Sequence, residues 1–146
     1  MIERFINNLT ETLDTQGFKL FFGTKTSYGK KRNIPDREVL LEPFQVSPYR
    51  EGNCEHKTTL TMWIAVRRKI DDKLQGDEGR FAEFMDFMVL QATNILNKMN
   101  ESEYIVILNP LDKIKMNYFE SDQSQTNNTQ SMLRFTIETI IYDKPE

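Results

Sequence analysis

The stretch KTTLTMWIAVRR, residues 57–68, decides the architecture. Leu60, Met62, Ile64 and Val66 alternate with Thr59, Thr61, Trp63, Ala65 and Arg67. Successive side chains of an extended chain point to opposite faces, so this period of two marks a strand with one face toward a core. Thr58, Thr59 and Thr61 add β-branched residues, which pack well on a pleated surface. The reading puts Leu60, Met62, Ile64 and Val66 on the core face.

Toward the C-terminus the period changes. Residues 70–79 read as a charged turn. A long helix over 80–99 follows, with Phe81, Phe84, Met85, Met88, Ala92, Ile95, Leu96 and Met99 as one apolar stripe. Asp77 or Gly79 begins it, and acids there suit the helix dipole. Residues 104–108 form a short buried strand or connector, ended by Asn109 and Pro110. Another strand is expected over 113–119, with Ile114, Met116 and Tyr118 on one face. The last strand, 131–142, carries Leu133, Phe135, Ile137 and Ile141 on one face. Between these two lies a wholly polar tract, Glu120 to Gln130. With no side chain able to anchor a core, it reads as a long mobile hairpin tip.

Toward the N-terminus, Ile2, Phe5, Ile6, Leu9 and Leu13 recur at helical spacing, and Gly17 supplies a stop. A short aromatic strand over 18–22 comes next, then a loop over 23–35. Residues 38–44 read as a strand that lies at an edge or ends at Pro43, because proline has no N–H for the ladder. A loop over 45–53 leads back to the opening stretch. The order predicts one α+β domain over residues 1–146: an antiparallel-rich sheet with an N-terminal helix and one long central helix packed on it.

Composition agrees with a globular chain. Hydrophobic residues are 38% and charged residues 28% of 146. A domain of this length buries roughly 70% of its unfolded surface, so folding requires neither metal nor disulfide. Cys54 is the sole cysteine, which excludes an intramolecular disulfide and suggests a reducing compartment. No run approaches a membrane span, and residues 1–10 lack the apolar core of a signal peptide. The expectation is a cytoplasmic protein without membrane contact. The net charge of −3 gives the whole molecule no pull on nucleic acid.

Candidate chemistry is sparse. Cys54 and His56 stand two apart, so on a strand they would share a face. Such a pair can act as nucleophile and base, yet no third residue orients the base. The plain alternative is incidental polar residues at the start of a strand. His56 is the only histidine, which removes most metal arrangements, and Asp71, Asp72, Asp77 and Glu78 match no calcium loop. No phosphate-binding glycine loop or nucleophile elbow is present. The expectation is therefore no catalytic, cofactor or metal site.

Two features point to partners instead. Lys25, Lys30, Lys31 and Arg32 gather around Tyr28 in the loop 23–35. A basic loop with an aromatic can grip a phosphate backbone and stack a base, or it can simply solvate a hairpin. Phe87 and Leu90 fall on the polar side of the long helix, near Glu83, Asp86 and Asn94. A large apolar pair away from the stripe is either a partner surface or the floor of a second covering layer.

The element order over nearly the whole chain resembles the tail-terminator, or tail-completion, proteins of tailed bacteriophages and the related neck-ring subunits. The anchors are residues 1–13, 57–68, 80–99 and 131–142. The resemblance implies a small antiparallel sheet carrying helices, and assembly into a homo-oligomeric ring, commonly a hexamer. It implies contact with other neck or tail proteins, a place in the virion after assembly in the host cytoplasm, and no catalytic residues. The loop 23–35 is longer and more basic than that pattern. Two other functions stay open on the residues alone: a nucleic-acid-binding accessory protein using that loop, and a small enzyme using Cys54 and His56.

Overall fold

A computed structural model of the chain describes residues 2–24, 37–46, 55–69, 78–123 and 128–142. Helix α1 spans Ile2–Thr15 and buries Phe5, Leu9 and Leu13, one residue per turn. It stops where the sequence expects. Gly17 adopts φ 79°, a left-handed conformation that costs glycine nothing. The Phe18 N–H then donates to the Leu13 carbonyl (2.9 Å) and the Gly17 N–H to the Asp14 carbonyl (3.1 Å), which satisfies two carbonyls at the helix end. The reversal drops Phe18 into the core beside Leu13.

Strand β1 (Lys19–Phe22) pairs parallel with β2 (Arg37–Leu41), and β2 pairs antiparallel with β3 (Glu55–Lys69). Helix α2 spans Glu78–Asn100. It leads to β4 (Ile105–Ile107), a single 3-10 turn at Leu111–Lys113, β5 (Asn117–Gln123) and β6 (Asn128–Tyr142). β3 and β6 form the spine, antiparallel over their full lengths from Glu55↔Tyr142 to Lys69↔Asn128. The other side of β6 is shared by β4 and β5. The class is α+β, and the described residues form a mixed sheet of six strands in which β1–β2 is the parallel pair.

The opening stretch is β3, and its alternation sets the main core. Leu60, Met62, Ile64 and Val66 meet Val39 and Leu41 of β2 and Leu133, Phe135 and Ile137 of β6. The buried residues of both helices join this cluster, so α1 and α2 cover the same sheet face. Met88, Ala92, Ile95, Leu96 and Met99 are the buried part of the α2 stripe. The side chains of Phe81 and Phe84 lie outside the described residues.

Of the two alternatives for β2, the strand ends at Leu41, just before Pro43, and lies inside the sheet instead of at its edge. Two expectations need correction. The strand expected over 113–119 begins at Asn117, because Leu111–Lys113 coil into the 3-10 turn. Ile114, Met116 and Tyr118 nonetheless all pack on the main core. The polar tract is largely ladder: Glu120↔Ser131, Ser121↔Gln130, Asp122↔Thr129 and Gln123↔Asn128 are paired. Strand pairing runs through backbone groups, so polar side chains do not prevent it. Only residues 124–127 of the tract fall outside the described residues.

The far face of the sheet carries its own buried cluster. Leu40, Trp63, Ala65 and Met132 are buried, with Phe21 packed against them. Register puts Phe21, Leu40, Trp63 and Arg134 in one row across β1, β2, β3 and β6. The Arg134 guanidinium lies 5.5 Å from the Trp63 ring centre, within cation–π range.

Candidate interaction surface

Helix α2 is where the partner residues expected from sequence come into view. Its buried residues Met88, Ala92, Ile95, Leu96 and Met99 fix the inward direction. At about 100° per residue, Leu90 stands almost opposite that stripe. It is 56% exposed, and its neighbour Val89 is 39% exposed. Glu83 and Asp86, two turns and one turn earlier on the same side, are exposed as well.

Phe87 behaves differently. It is half-buried and packs against the main core, with the Arg37 guanidinium 5.4 Å from its ring centre. The expectation that both residues stand clear of the core holds for Leu90 and not for Phe87. The physical reason is that β2 places Arg37 on the same face as Val39 and Leu41, so its long side chain and the ring meet at the flank of the helix.

Other exposed apolar residues escaped the sequence reading. Val106 of β4, Leu108, and Leu111 of the 3-10 turn are each between 37% and 44% exposed. Val106 and Leu108 share strand parity, and they sit where Leu108 donates its N–H to the Glu138 carbonyl at 2.8 Å. The sequence signal was available: Pro110 interrupts this segment, so its apolar residues could not all enter a regular strand. Phe22 at the end of β1 is 52% exposed, although its ring meets Phe44 edge-on at 6.0 Å.

Of the remaining sequence candidates, His56 alone lies among the described residues. His56 lies buried on the helix-covered face of β3, opposite Ile141 in register. Cys54 lies outside the described residues, as do Lys25, Lys30, Lys31 and Arg32. Among the described residues, no three His, Cys, Asp or Glu side chains are placed to hold a metal ion. No described helix is long and apolar enough to cross a membrane. An open cleft forms where the chain leaves β2 at Pro43, between residues 43–46 and Lys57, Thr59, Leu108 and Glu138. Its described lining includes Lys57, the hydroxyls of Thr58, Thr59 and Thr139, and the carboxylate of Glu138.

No protein-family model matches this sequence, and no curated protein matches it as a relative. Among the described residues, the geometry defines an α+β sheet protein with an exposed apolar point on the outer side of its long helix.

Proposed function

We propose that this chain is a structural subunit that works by assembling, of the tail-terminator or neck-ring kind, with no chemistry of its own. One observation carries the reading: Leu90 is 56% exposed on a helix whose opposite side is buried. Burying one such side chain contributes roughly 1.5–3 kcal/mol. Association costs several kcal/mol in lost freedom, so Leu90 acts as the centre of a larger patch that includes Val89. The order of helices and strands that suggested the resemblance also supports the reading. In a ring, one patch meets a different patch on the neighbour, and the contact repeats until it closes. The partners are copies of this chain, as in a hexamer, and adjoining neck or tail proteins of a virion assembled in host cytoplasm.

Electron microscopy of the purified protein tests this. Closed particles of uniform diameter are expected. Compact particles of single-subunit size at every concentration would refute the proposal.

A further inference from the structure

We infer that the outer strip of α2 docks against the basic segment 25–32 of a second copy of this chain. The inference rests on the assembly reading and names the surface that Leu90 meets. The strip consists of Glu83, Asp86 and Leu90, spaced three, four and seven apart so that they share one side of the helix, with Val89, three residues after Asp86, along its margin. None of the four is covered by a described residue of the chain, and all are exposed. Both charged members are acidic. Lys98, further along α2, is engaged with Glu101 at 3.4 Å.

The occupant must therefore offer positive charge and apolar surface in a short length. The chain carries such a segment itself. Lys25, Lys30, Lys31 and Arg32 lie within eight residues together with Tyr28, in a protein whose net charge is −3. Lysine and arginine stems cover apolar surface while their heads stay at the polar rim. Tyr28 supplies a rigid apolar body of the kind that anchors interfaces. The pairing sets charge against charge around Leu90, which steers encounter and selects this partner over a neutral one.

Two charge-reversed variants test it. One carries Glu83→Lys with Asp86→Lys, the other Lys30→Glu with Lys31→Glu. Self-association is followed by sedimentation velocity at low salt, with circular dichroism confirming the fold of each. Each variant alone should associate about tenfold more weakly or worse. Their equimolar mixture should recover association, because each then presents the complement of the other. Should a double reversal unfold, the single changes Asp86→Lys and Lys31→Glu serve in the same scheme. Variants that associate like the wild type, or a mixture that recovers nothing, overturn the inference while a self-associating wild type leaves the assembly reading standing. A wild type that never associates overturns both.

Discussion

The guanidinium of Arg37 on β2 lies 5.4 Å from the centre of the Phe87 ring on α2. The contact ties an internal strand to the flank of the long helix, and it separates two residues that look alike in sequence. Phe87 belongs to the fold and Leu90 to the surface.

Phe87→Ala should therefore destabilise the monomer. A fully buried Phe truncated to Ala costs about 3–5 kcal/mol, and a half-buried one about half of that. Leu90→Ser should stay within about 0.5 kcal/mol, as surface changes do. Thermal melting of the two variants under conditions that keep the protein monomeric checks the difference. Equal losses would place Leu90 in the core.

Gly17 closes α1 at φ 79°, and a Cβ there would meet only the Arg37 side chain, at 3.9 Å. Space is therefore not the constraint; backbone conformation is. Gly17→Ala should cost about 1 kcal/mol from the left-handed penalty alone. Urea unfolding should show a lower midpoint with an unchanged slope. An unchanged midpoint would mean that the left-handed turn is not the stop.

Trp63 is the only tryptophan and is 5% exposed in the far-face cluster. Its fluorescence should be blue-shifted in the native protein and move red on unfolding. Trp63→Ala should cost about 3–5 kcal/mol, as for other large aromatic truncations. Native emission already at the wavelength of a solvated indole would contradict the burial of this cluster.

The β5–β6 ladder reaches to Gln123↔Asn128. Amide hydrogen exchange should show protection over 117–123 on the alternate residues whose N–H groups face β6, and over 128–134 throughout, because β6 pairs with β5 on one side and β3 on the other. Exchange at unfolded-chain rates throughout 120–130 would restore the picture of a long mobile tip.

The periodic segments were legible because burial dictates them. The alternation of β3 and β6, the α1 face and the α2 stripe all follow from which residues leave water. Other features depend on partners that sequence spacing does not reveal. The parallel pairing of β1 with β2 arises from register between strands, as in Lys19↔Glu38. The polar ladder relies on backbone groups that every residue carries. The far-face cluster did leave a trace, since Met62 to Val66 is an unbroken apolar run, the mark of a strand buried on both faces. Leu90 was legible as an apolar residue on a polar helix face, whereas the fate of Phe87 depended on Arg37, which lies fifty residues earlier in the chain.

Assembly through the outer side of α2 can be read by light scattering on the wild type beside Leu90→Ser. A discrete closed oligomer is expected for the wild type and a folded monomer, or a much weaker oligomer, for the variant. A wild type that stays monomeric at all concentrations, or a Leu90→Ser variant that assembles as well as the wild type, would contradict it.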